Sequence, residues 1–235
     1  MSIFHVANIV CPTCNTPAEV ERSASVNADL RPDLRAAILD GRFQATTCAH
    51  CGTRLRLPPH LTYLELGRGV WIAAEPAAML EDWPSVEESV WDVYDRAFGE
   101  HASPAARSLV AGVKPRLVFG WPAFREKLIC TDLGLDDVTL ELLKMSIMRN
   151  VNDPPMADQT ELRLVGGTPE ELEFAWIETL PEERLAGLKV PRDVYDSILE
   201  NPEPWEPVRA KFDQVFLVDL RRFIAGSEAA ERQAA

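Results

Sequence analysis

The apolar positions of this chain change period several times, and each change marks an element. Residues 3–10, IFHVANIV, are β-branched and aromatic in the manner of a strand. AEVERSASVNA, at 18–28, alternates weakly and reads as a second strand. RPDLRAAILDG switches to helical spacing: Leu34, Ile38 and Leu39 share a face, Pro32 suits the first turn and Gly41 the end. RFQATTC, RLRL, LTYLEL and VWIAAE return to strand character, with Gly67 to Gly69 turning the last two into a hairpin. Residues 1–75 therefore predict a sheet-rich module with one inserted helix.

Beyond Glu75-Pro76 the pattern becomes mainly helical. Ser85 and Glu88 have the spacing of a capping box in front of a helix, along which Val86, Val90, Val93, Tyr94 and Ala97 recur. Ser103-Pro104 opens another helix, closed by Gly112, and PRLVFG reads as a short strand. Two further helices follow over 121–134 and 135–150, parted at Gly134, with Pro122 near the first start and Asp136 and Asp137 suited to the second N-terminus. In 161–178, Leu162 and Leu164, then Leu172, Phe174 and Trp176, keep period two, which predicts a hairpin turning near Gly166-Gly167. Residues 181–226 read as mainly helical, with QVFLVDLRRFIAG open to either strand or helix, and 227–235 as a disordered tail. The organisation expected is a module over 1–75, an acidic helical or α+β body over 76–226, and the tail.

Composition narrows the class. The 235 residues are 46% hydrophobic and 26% charged, as in soluble globular proteins. No apolar run is long enough for a membrane helix, and the N-terminus lacks the basic start of a signal peptide, so a reducing cytoplasm is expected. The net charge of −13 is uneven: residues 1–60 hold six arginines and five acids, residues 61–235 hold 18 basic and 32 acidic residues. An acidic body repels phosphate backbones, which disfavours nucleic-acid binding by the whole chain.

Four of the five cysteines stand in two Cys-x-x-Cys pairs, CPTCN at Cys11 and Cys14 and CAHCG at Cys48 and Cys51. Two such turns, brought together by flanking strands, supply a tetrahedron of thiolates, the donor set of structural zinc. Asn15 and Gly52 follow the second cysteine of each pair, and these two residue types best tolerate the left-handed backbone of a metal knuckle. Zinc is the expected metal; iron takes the same ligands. A thioredoxin-type redox pair would need one motif only, at a helix N-terminus, whereas a strand precedes CPTC. Four thiolates leave no open position, so the metal is expected to support folding rather than catalysis.

The remaining candidates read as structural. His50, inside the second knuckle, and His5 and His60, beside the module, are expected at the surface or in packing. Cys130 is expected to fill core. The acid pairs Glu87-Glu88, Asp136-Asp137, Glu170-Glu171 and Glu182-Glu183 suit helix starts and turns. No phosphate-binding loop, dinucleotide fingerprint, HExxH or GxSxG occurs. Trp83, Trp121 and Trp205 each neighbour a proline and are candidates to line an exposed groove.

CPTC, the strand–helix–strand insertion, CAHC, and then LVFG, REKL, GLDD and ELLK together resemble the CpXC family of bacteria and archaea, named for its Cys-Pro-x-Cys pair. The likeness is closest from Cys11 to about Glu75 and continues to about residue 150. It implies a metal site at Cys11, Cys14, Cys48 and Cys51 and assigns no reaction.

The fold class expected is α+β, with a zinc-ribbon-like β module carrying an inserted helix and a mixed, mainly helical body. The function expected is that of a non-catalytic cytoplasmic protein with a structural zinc site of four cysteines, acting through a protein partner. Two alternatives remain: an enzyme whose site lies in the acidic body, and a nucleic-acid reader using Arg22, Arg31, Arg35, Arg42, Arg54 and Arg56.

Overall fold

The computed structural model describes residues 2–151, 160–179, 182–223 and 225, and the fold is α+β. The tail expected over 227–235 lies outside the described residues. Contacts divide the chain into two compact units, one made of Met1–Pro76 with Ser89–Trp121, the other of Ala77–Glu88 with Pro122–Ala235.

In the first unit, β1 (Phe4–Val10) and β2 (Pro17–Ser23) form an antiparallel hairpin with Val10 opposite Pro17. The stretch 18–28 is two strands rather than one, because β3 (Ser25–Asn27) leaves β2 for a different sheet. Helix α1 (Pro32–Leu39) starts on Pro32 and buries Leu34 and Ile38. A second small hairpin pairs β4 (Ala45–Thr47) with β5 (Arg54–Arg56), Thr47 opposite Arg54. The next strands, β6 (Leu61–Glu65) and β7 (Val70–Glu75), join through a 3-10 turn at Leu66–Arg68, as the GRG sequence predicts.

The helix α2 spans Trp83–Phe98, so Ser85 and Glu88 lie inside it and do not form a cap in front of it. A 3-10 segment, Ala77–Asp82, leads directly into that helix, which therefore starts before the serine. Of its periodic positions Val86 and Val90 are buried, while Val93 is exposed. Helix α3 (Pro104–Leu109) is capped by Ser103, whose hydroxyl accepts from the Ala106 amide. It leads to β8 (Lys114–Phe119), which runs parallel to β7. The four-stranded sheet in the order β3-β6-β7-β8 thus takes its last strand from beyond residue 75.

The second unit holds α4 from Pro122 onward (the helix spans Gly120–Asp132) and α5 (Asp137–Asn150), which Asp136 caps by accepting from the Thr139 amide. β9 (Thr160–Gly167) and β10 (Glu171–Glu178) make the expected hairpin, its turn a few residues later at Thr168–Glu170. A third strand, β11 (Arg184–Pro191), pairs with β10 and corrects the helical reading of 181–226. It is an edge strand, exposed at most positions, so its sequence lacks the apolar alternation that betrays a buried strand. Helix α6 (Arg192–Glu200) follows, then short helical turns over Glu203–Phe212. The open choice at QVFLVDLRRFIAG resolves to irregular chain, ending in a 3-10 turn at Leu220–Phe223. Leu162, Leu164, Leu172, Phe174 and Trp176 share one core with Leu140, Leu143 and Ile147 of α5 and Tyr195 and Ile198 of α6.

Candidate metal centre

The two Cys-x-x-Cys segments occupy the tips of the β1–β2 and β4–β5 hairpins, and their backbones match bond for bond. The Cys11 amide donates to the Thr16 carbonyl at 3.0 Å and the Cys48 amide to the Thr53 carbonyl at 2.8 Å. The Asn15 amide donates to the Cys11 carbonyl at 2.8 Å and the Gly52 amide to the Cys48 carbonyl at 2.9 Å. Both turns need a left-handed residue after the second cysteine, and Asn15 (φ 58°) and Gly52 (φ 74°) supply it.

The four sulfurs lie within 4.8 Å of one another. Across the two knuckles, Cys11 Sγ is 3.5 Å from Cys51 Sγ and Cys14 Sγ is 3.6 Å from Cys48 Sγ. A tetrahedron with metal–sulfur bonds of about 2.3 Å has edges of about 3.8 Å, so the spacing fits a first-row metal in a thiolate cage. Cys11 and Cys48 are buried with Leu55, against Ile9 and Ala18, while Cys51 is exposed.

Electrostatics explain why such a cluster calls for a cation. Burial pushes the Cys11 thiol up, but the amides of Cys14 and Thr13 donate to its sulfur and bring it below its usual range. Thr53 draws Cys51 down to about 6, through its hydroxyl and then its amide. Thr16 pulls Cys14 the same way, yet burial and the neighbouring Cys51 and Cys48 sulfurs outweigh it and lift Cys14 to about 11. Four thiols this close resist losing their protons together, and a divalent ion at their centre removes that resistance. The residues present fit a metal bound by four cysteines, and any metal held there would be fully enclosed by thiolates.

The other sequence candidates lie elsewhere. His50 and His5 are exposed, and His60 pairs with Glu75 at 2.5 Å. Cys130 is 2% exposed, burial raises its thiol well above the usual range, and its sulfur lies 3.4 Å from the Leu135 carbonyl, as in a core residue. Five of the six arginines of residues 1–60 have partners within the fold. Arg31 meets Asp33 at 2.6 Å, Arg35 meets Glu65 at 3.0 Å and Arg42 meets Asp40 at 2.7 Å. Arg54 bonds the Gly41 carbonyl, and Arg56 bonds the Phe43 carbonyl and stacks 4.0 Å from the Trp121 ring centroid.

Trp121 does not line a groove: it is 2% exposed and its indole N–H donates to the Leu57 carbonyl. Trp83 donates its indole N–H to the Ala225 carbonyl at 3.1 Å, with the Arg222 guanidinium 4.6 Å from its ring centroid. Trp205 does border an open groove of about 560 Å³, with Ser146, Asp193, Ser197 and Asn201. Among the described residues, Asp193 is the one ionisable group in its lining. The acid pairs are placed structurally, since Glu87 accepts from the Phe216 and Leu217 amides and Glu182 pairs with Arg125.

One constellation escapes a sequence reading. In the second unit Arg163 donates to Glu126, Glu161 and Asp219, each at 2.7 Å. Lys144 lies 3.0 Å from Glu126 and 2.7 Å from Glu141, and Arg221 reaches Glu161. Glu126, Glu141 and Glu161 are nearly inaccessible, as are Lys144 and Arg163. Burial disfavours the Glu126 carboxylate, but Lys144 and Arg163 outweigh it and hold it below its usual range, while burial lifts Glu141 to about 7. The available signal was in α5: it is apolar nearly all round, so Glu141 and Lys144, three apart, had to be buried together.

A family model described as CpXC protein matches residues 9–144, more than half of the chain and both cysteine pairs. No curated protein and no solved structure matches the chain.

Proposed function

The chain is a member of the CpXC family, and we propose that its four cysteines hold zinc in a structural role, within a non-catalytic cytoplasmic protein that acts through a protein partner. The observation that carries this reading is the closed set of four sulfurs, all within 4.8 Å of one another. A metal enclosed by four thiolates has no open position for water or substrate, and its contribution is to folding. Zinc is preferred to iron on the general use of such cages, and reduced thiol ligands suit a cytoplasm.

The alternatives receive less support. Among the described residues, the groove beside Trp205 is lined by one carboxylate and by no base, which is thin material for an active site. Nucleic-acid binding needs arginines free to meet phosphates, and five of the six in residues 1–60 are engaged within the fold.

Elemental analysis of the purified chain tests the metal: one zinc per chain is expected, and iron or no metal would overturn the assignment. Thermal unfolding with and without a chelator tests the role. A large fall in stability is expected, and an unchanged transition would count against it. Capture of a protein partner by the metal-loaded chain, lost with Cys48→Ser, is expected for the interaction reading.

A further inference from the structure

The two knuckles share a feature beyond their cysteines: CPTCNT and CAHCGT each place a threonine two residues after the second cysteine. The structure puts both threonines to the same use. Each carbonyl accepts from the amide of its own knuckle's first cysteine, and the Thr53 hydroxyl goes further, with Oγ1 3.2 Å from Cys51 Sγ. Thr53 Oγ1 is also 3.2 Å from Thr13 Oγ1, a residue of the opposite knuckle.

We propose that Thr53, with Thr16 as its counterpart, is a positioning residue of the metal centre: its hydroxyl orients the exposed ligand Cys51 and, through Thr13, ties the two knuckles together. The inference rests on the metal-binding reading above. A thiolate ligand only accepts hydrogen bonds, and each hydroxyl has one proton to give. The direction of the chain is therefore fixed once Cys51 binds metal: Thr13 donates to Thr53, and Thr53 donates to Cys51. Donors in series polarise one another, which strengthens the bond that reaches the sulfur.

Cys51 is where such support matters most. Cys11 and Cys48 are held by burial around Leu55, whereas Cys51 is exposed and faces competing ligands from solvent. Partners of this kind fix the orientation of a ligand and tune its basicity, and their loss commonly weakens a metal site 10- to 100-fold, roughly.

The test is a titration of Zn2+ into the reduced full chain against a chromophoric chelator. Thr53→Val, which keeps the shape and removes the donor, is expected to bind Zn2+ about tenfold more weakly. Thr53→Ser keeps the hydroxyl and is expected to match the wild type. Equal affinity in Thr53→Val and wild type overturns the inference, as does equal weakening in the valine and serine variants. A wild-type chain that binds no Zn2+ overturns the parent reading along with this one. If Thr53→Val does not fold in excess Zn2+, Thr13→Val carries the test, since it removes only the donor to Thr53. A smaller weakening is expected there, and an unchanged affinity overturns the proposal.

Discussion

Among the described residues, the buried cluster at the knuckles is Cys11, Cys48 and Leu55, whereas one cluster of the second unit packs fourteen buried residues, from Cys130 to Ile198. The two regions also hide polar atoms differently. The knuckles gather four like groups that repel once ionised and that a cation from outside would reconcile. The body supplies its own cations, setting Lys144, Arg163 and Arg221 among Glu126, Glu141, Glu161 and Asp219. A region with little apolar core has most to gain from a ligand; a region with ample core can enclose ions that specify how its elements meet.

The sharpest way to break this contrast is to remove one ligand. Cys48→Ser is expected to abolish stoichiometric metal binding and unfold the knuckles, with a loss of at least several kcal/mol. Elemental analysis and near-UV circular dichroism would record it, and a variant with native metal content would refute the contrast at its base. In the body, Arg163→Met leaves Glu126, Glu161 and Asp219 without their shared cation. A loss of about 3–5 kcal/mol in urea denaturation is expected, because each carboxylate stays buried. An effect under about 1 kcal/mol would mean that the network relaxes and contributes little.

A subtler test uses the count of charges, four acids against three bases. Burial lifts Glu141 to about 7, helped by Asp219 and Glu126 and opposed by Lys144. That value lies above the ordinary carboxylate pKa of about 4.3, so the protonated form favours folding. The contribution is complete below about pH 4 and is lost as pH rises through about 7. Glu141→Gln should therefore flatten the fall in stability between pH 5 and 8, by on the order of 1–3 kcal/mol. Parallel profiles for variant and wild type would remove Glu141 from the account. Glu126 and Asp219 are held low by Lys144 and Arg163 against the cost of burial, so they act in the other direction. Their contribution is present above the ordinary carboxylate range and lost as pH falls below it. The smallest effect is expected at the first knuckle: Asn15→Val places a β-branched residue at φ 58° and should cost about 1–2 kcal/mol in thermal unfolding, while Asn15→Gly should be neutral.

These outcomes bear on how far the sequence could be read. The knuckles were legible because spacing and backbone demand are both local: Cys11 to Asn15 and Cys48 to Gly52 carry their own turn chemistry. The β9–β10 hairpin was legible because one of its faces meets a core. Strand β11 was not, since its strand character comes from pairing with β10 rather than from its own residues. Ser85 and Glu88 had the right spacing for a cap, but the chain before them is already helical. The ionic network was hidden for another reason. Glu126, Arg163 and Asp219 lie far apart in sequence, and each alone looks like an ordinary surface charge.

The parallel pairing of β7 with β8 has a consequence for synthesis. Both knuckles and their hairpins are complete by Arg56, but the sheet beside them lacks its fourth strand until Phe119. About 60 residues separate the two points, which at about 5–20 residues per second is several seconds of translation. Once β7 is complete at Glu75, it stays an open edge until β8 follows at Lys114–Phe119, with Ile72 and Trp71 awaiting their neighbour. If the knuckles take up metal as proposed, capture on the ribosome can precede completion of the sheet, and a nascent chain starved of metal would expose the edge and the unligated thiols together.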